Sequence, residues 1–270
     1  MADRFGDVPA YRAVIGSRVR AQLTYRASFA ADVLANVAVG VSEFATVYVV
    51  FSAVDHLGGL DVWQASLVFA LANLTFATAD LLVGHLDRLP TYLREGTLDA
   101  LLLRPLPVLV QLATAEVSLR RTGRIVVAAV VLVVAWPRAG VVDSWTSGFL
   151  LGWSVVGGAA VFAAVFVAAG ALQFWLVEGG EAVNAITYGG ANAAQYPASV
   201  YPGPLRWAFS YVVPASFVAY LPVLALTGTP GPAGLPAWLG WCSPAVAVVA
   251  WVVALLLWRS GVRHYTGTGS

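Results

Sequence analysis

Lysine is missing from this chain: all 15 basic residues are arginine. The phosphate-binding loop of a nucleotide hydrolase needs a Lys to reach the β- and γ-phosphates, and Schiff-base chemistry needs a Lys amine. Both are therefore excluded. Cysteine is nearly missing too. Cys242 stands alone, which rules out an internal disulfide or a cysteine-based metal centre. The only histidines, His56, His85 and His264, lie far apart, so no metal site is expected. Charge of either sign is scarce, at 11% of residues against about 25% in an ordinary soluble domain. The first ten residues are polar and hold no short apolar core before a small-residue cleavage site, so no signal peptide is expected.

What fills the chain instead is apolar. Hydrophobic residues make up 59% of 270, and the mean hydropathy is +0.78. A fold of this length cannot bury that much apolar surface in its own core, so the surplus must face lipid. The expected fold class is all-α, a polytopic membrane protein with one transmembrane domain over 1–270. Six transmembrane helices are expected, at about 28–54, 62–86, 110–136, 146–176, 206–227 and 237–258. In the third, Glu116, Arg120, Arg121 and Arg124 occupy the first half, leaving 125–136 as its dry part. Ahead of the first span, residues 8–27 mix Arg12, Arg18, Arg20 and Arg26 with Tyr11, Val14, Ile15, Val19 and Leu23. That mixture predicts a helix lying in the membrane interface, its Arg stems snorkelling to headgroups.

Arginine placement predicts orientation. With the N-terminus inside, 14 of the 15 arginines fall in cytoplasmic segments and only Arg138 falls outside. Basic residues are retained on the cytoplasmic side. Both termini are thus expected in the cytoplasm, and the Ala-, Val-, Gly- and Arg-rich composition, like that of a GC-rich bacterium, makes a bacterial inner (plasma) membrane the expected location. Residues 179–205 are too polar to span. They fit either a cytoplasmic segment or a re-entrant one near the outer face.

Three constellations could carry chemistry. In residues 94–107, Thr97 is placed to cap a short helix, Asp99 suits its positive end and Arg104 its negative end, and Pro105 and Pro107 stop it. Leu98, Leu101 and Leu102 share one side, which fits either a partner groove or the membrane surface. Within the spans, Asp32, Asn36 and Glu43 recur at helical spacing, as do Asn73 and Asp80. Ionisable groups at membrane depth face the bundle interior, a partner or a water path. These five residues would either line the path of a cationic or amphipathic substrate or pair helices together, with Glu43 nearest mid-span. Finally, Gly148 and Gly152, and Ser154 and Gly158, are small residues four apart that let helices approach, within a subunit or across a dimer. Pro214 and Pro222 are expected to kink the fifth span.

The run 96–107 (GTLDALLLRPLP) resembles the loop after the second span in permeases of bacterial type 2 ABC exporters, in their viologen-exporter-like branch. Residues 196–202 (YPASVYP), Leu205-Arg206, 213–222 (VPASFVAYLP), 261–265 (GVRHY) and Gly269-Ser270 are similar to the same branch, in the same order. The resemblance implies a permease subunit that forms its substrate path as a dimer, either a homodimer or a heterodimer with a sibling permease. It implies a separate ABC ATPase subunit that holds ATP and Mg, met by a cytoplasmic coupling helix through Thr97, Leu98, Asp99, Leu101, Leu102 and Arg104. No catalytic residue, cofactor or metal is expected in this chain, and its surroundings are membrane lipid, not nucleic acid. The wider superfamily also carries an outer re-entrant helix pair before its last span, for which the short loop 228–236 leaves little room. Two other classes compete. An ion-coupled secondary transporter would use Glu43 and Asp80 as coupling residues, but no internal repeat of broken helices is evident. An intramembrane enzyme would need a nucleophile with a base, and no His lies mid-span.

Overall fold

A computed structural model describes residues 26–54, 56, 58–115, 119–142, 144–176, 180–231 and 235–266, apart from the side chains of Arg26, Arg120, Ala182 and Tyr211. The expected interfacial helix lies outside the described residues except for its last two positions. Among the described residues the α-helices are α1 (Arg26–Ser52), α2 (Val62–Val83), α3 (Leu89–Arg94), α4 (Leu98–Leu102), α5 (Val108–Ala113), α6 (Thr122–Ala135), α7 (Trp145–Leu172), α8 (Gly180–Ala194), α9 (Gly203–Trp207), α10 (Leu221–Thr227) and α11 (Ser243–His264), with no strand. The chain is all-α.

Four stretches are long and apolar enough to cross a bilayer: Ala27–Ser52, Val62–Arg94, Trp145–Leu172 and Ser243–His264. Thr122–Ala135 and Ser216–Thr227 are apolar but shorter. The centre of the bundle is α2, buried along most of its length. Its start is fixed by a capping box: Asp61 Oδ1 accepts from the N–H groups of Trp63 and Gln64, both at 2.8 Å, and the Asp61 N–H donates to Gln64 Oε1 at 3.2 Å. By contrast α1 buries only the stripe of Gly40, Val47 and Phe51 against α2 and α6, and exposes Leu34, Val39, Val41 and Val49. The helices α7 and α11 run parallel, with Gly157 against Ser243 and Gly261 against Ala171 and Phe174. A Cβ at Gly157 would stand 2.7 Å from the Pro244 nitrogen, and one at Gly158 would stand 2.8 Å from Thr75. The close approach thus uses Gly157 and Gly158. Gly148 and Gly152, expected to take part, meet nothing within 4 Å.

Contacts between distant residues fix the end of the bundle to which each segment belongs. At the α1–α2 loop, Ser199 Oγ donates to the Gly58 carbonyl at 2.8 Å, Gln64 Nε2 donates to Thr229 Oγ1 at 3.1 Å, and the Arg138 guanidinium lies 5.0 Å from the centre of the Trp63 ring. At the opposite end, Tyr188 OH donates to Asp87 at 2.7 Å and Phe174 packs edge-on to Trp258.

These contacts overturn two expected spans. Residues 206–227 are not one span. From Ser199 the chain turns into α9, then through a wide π-helical turn at Ala208–Val212 to Val213, which lies against Gly190. Pro214 interrupts the run, and a second π-helical turn at Ser216–Tyr220 leads into α10 and back to Thr229 beside Gln64. Val218, near the bend, meets Gly158 half-way along α7. Residues 203–227 therefore form a hairpin that enters and leaves by the α1–α2 loop end, clasped by the Ser210 and Ser216 hydroxyls at 2.9 Å. The link between the two ends of the bundle is made instead by α8, within residues too polar to be read as a span. Its polarity is met inside the bundle, where Tyr188 reaches Asp87 and Thr187 Oγ1 donates to the Asn184 carbonyl at 3.2 Å. The hairpin also moves Arg206, expected at the cytoplasmic end, to the end that holds Arg138, where it donates to the Ser199 and Tyr201 carbonyls.

The expected third span 110–136 is also discontinuous. Helix α5 stops at Ala113, a 3-10 turn covers Leu119–Arg121, and α6 has 14 residues. Beside the break, the Arg121 and Arg124 side chains turn to acids on neighbouring helices.

Candidate functional site

Glu43 on α1 and Asp80 on α2 each meet an arginine at the start of α6. Arg124 Nη2 donates to Glu43 Oε1 at 3.1 Å, and Arg121 Nη1 lies 2.7 Å from Asp80 Oδ1 while donating to the Asp80 carbonyl. Asp80 is 8% exposed and the Glu43 side chain 25%, so both charges are largely withdrawn from solvent and each offsets its partner's desolvation. Gly84 makes the second pair possible, since a side chain there would collide with the Arg121 guanidinium and the Asp80 carboxylate. The amides of the same set are satisfied on their own helices: Asn73 Nδ2 donates to the Phe69 carbonyl at 3.1 Å and Asn36 Nδ2 to the Asp32 carbonyl at 2.9 Å. Asp32 is exposed on the flank of α1. The five residues do not converge on one cavity. The signal for their partners was the cluster of arginines in the third span.

Residues 84–113 fold into a cap over the opposite end of the bundle. Leu86, Leu89, Leu93, Leu98 and Leu112 form one core with Phe174 of α7 and Trp258 of α11. Gly96, at φ +67°, makes the left-handed turn between α3 and α4 that other residues resist. Thr97, expected as an N-cap, has helical backbone angles and makes no capping bond. The brace comes from elsewhere. Buried Gln111, which the sequence reading missed, donates to the Leu101 carbonyl at 3.0 Å and the Leu106 carbonyl at 2.8 Å, closing the C-terminal end of α4. The six expected coupling residues therefore divide. Leu98 points into the cap, Asp99 and Leu101 are half-buried, and Thr97, Leu102 and Arg104 face out. Leu103, not singled out from sequence, is 87% exposed between Leu102 and Arg104.

Two cavities flank the 203–227 hairpin. One, of about 560 Å³, lies between α7, the hairpin and α11 and is walled by Val212, Phe217, Val246 and Val249. The other, of about 410 Å³, lies toward the α1–α2 loop end and is walled by Ser199, Arg206, Trp207 and Tyr220. Ser210, Phe217 and Leu239 border both.

A helical bundle with four long apolar helices, a braced helical cap at one end and a hairpin inserted at the other is a polytopic membrane protein. Comparison with protein families names the class: the model of the ABC-2 family transporter proteins matches residues 37–269, so the chain belongs to that family. No curated protein and no solved structure matches it.

Proposed function

We propose that the chain is the permease subunit of an ATP-driven ABC exporter, coupled to a separate ATPase subunit that binds ATP and Mg. The observation that carries this reading is the family match over 37–269. The cap supports a coupling role. A permease without a nucleotide site must feel its ATPase through a stiff contact. Leu98 and Gln111 anchor α4 to α7 and α11, while Leu102, Leu103 and Arg104 stand exposed at its end. In this reading the cap end is cytoplasmic. Arg88, Arg94, Arg104, Arg121, Arg124, Arg259 and Arg263 belong to that end, and Arg138 and Arg206 to the other, in accord with the retention of basic residues inside. Six crossings are proposed, made by α1, α2, α6, α7, α8 and α11, with the hairpin entering from outside. The exposed apolar face of α1 and the open Gly148 and Gly152 suit a second permease subunit. Affinity purification of the tagged chain from its native membrane tests the reading. Stoichiometric recovery of an ABC ATPase is the expected result, and a preparation free of any ATPase that nonetheless moves solute on an ion gradient contradicts it.

A further inference from the structure

Glu43 and Asp80, expected to draw a cation into this protein, are matched by arginines, and the charge that stands beside a cavity is positive. Arg206 forms no ion pair among the described residues. Its Nε and Nη2 donate to the Tyr201 carbonyl at 3.2 and 3.0 Å, and Nη2 also to the Ser199 carbonyl at 3.1 Å. Those bonds fix the guanidinium in place without neutralising it. The same cavity is walled by Tyr220, which is 2% exposed and whose hydroxyl has no hydrogen-bond partner among the described residues. A buried hydroxyl without a partner is costly to hold, and a ligand accepting its proton would recover that cost. Ser210, Phe217 and Leu239 border both this cavity and the larger one, whose walls are almost wholly apolar.

A fixed cation and an unmatched hydroxyl at one end, with an apolar chamber at the other, describe a particular ligand shape. We infer that the two cavities form one site for an anionic amphiphile, its phosphate or carboxylate on Arg206 and Tyr220 and its hydrocarbon body between α11 and the hairpin. Ser210, which borders both chambers, is clasped to Ser216 at 2.9 Å. This assignment concerns binding and does not depend on the ATPase reading.

The test is ligand retention by the purified full-length chain in a neutral detergent, followed by native mass spectrometry. Dodecyl phosphate is expected to bind and dodecyltrimethylammonium not to bind. Arg206→Gln should weaken dodecyl phosphate about tenfold or more, as loss of a charge-assisted bond does. Because Arg206 also holds the 199–201 turn, two further variants guard against misfolding. Tyr220→Phe should weaken binding with no loss of thermal stability, and Val246→Trp should fill the apolar chamber and abolish binding. Competition by phosphatidylglycerol identifies a bilayer lipid as the source of the ligand and its failure a single-chain solute; either result keeps the anionic class. Equal binding of the cationic amphiphile, equal displacement by inorganic phosphate alone, or unchanged binding in all three variants overturns the assignment.

Discussion

Gly84 and Arg121 are matched in space: the missing side chain of the one leaves the room that the guanidinium of the other occupies beside Asp80. The pair ties the short α6 to the centre of the bundle. Any Cβ at position 84 must push Arg121 off Asp80 and strand a carboxylate that is 8% exposed. Gly84→Ala is therefore expected to destabilise the protein by about 2–4 kcal/mol, near the cost of breaking a buried pair. Arg121→Gln should cost a similar amount. The double variant should be little worse than either single one, because both remove the same interaction. Thermal unfolding in detergent reads this directly, and additive losses would place the strain elsewhere.

Glu43 and Arg124 make a second prediction. A carboxylate that lines a substrate path can be neutralised with loss of transport and little loss of stability. A carboxylate that offsets an arginine cannot, since Arg124 would be left without its partner. Glu43→Gln should therefore lower melting temperature and yield together, and the exchange of Glu43→Arg with Arg124→Glu should restore part of both. Normal stability in the single variant with loss of transport would return Glu43 to the path.

The hairpin gives a prediction of sidedness. In a Cys242→Ser background, a cysteine at Val200 should react with a membrane-impermeant reagent added outside, since Ser199 is bonded to Gly58 of the α1–α2 loop. One at Leu103 should react only from the cytoplasmic side. Labelling of both positions from the same side would contradict the inserted hairpin and restore a spanning 206–227.

How much of this was legible in the sequence depended on the range of the forces involved. The apolar surplus and the long helices followed from composition and length, because lipid imposes both. Arg138 was separated from the cap-end arginines by charge alone. Arg206 was not, because its position follows from whether Pro214 bends a span or turns the chain back, and that depends on Val213 meeting Gly190 and Ser210 meeting Ser216. Helix α8 was passed over because hydropathy cannot see that Tyr188 will find Asp87. In the cap, the Leu periodicity pointed to a helix with one apolar side but not to which way that side faced. Leu98 turned inward onto Phe174 and Trp258, and the brace came from Gln111, ten residues beyond Leu101.

The central claim is that this chain is driven by a separate ATPase through the outward edge of its cap. The direct measurement compares ATPase association and ATP hydrolysis for the wild-type chain, Leu103→Glu and Leu98→Ala, each purified in lipid nanodiscs. Leu103 is 87% exposed, so Leu103→Glu should leave the melting temperature unchanged while abolishing association or uncoupling hydrolysis. Leu98 is 1% exposed, so Leu98→Ala should lower stability by about 2–5 kcal/mol as a large-to-small core change does. A fully stable Leu103→Glu protein that binds the ATPase and stimulates its hydrolysis as the wild type does would contradict the claim.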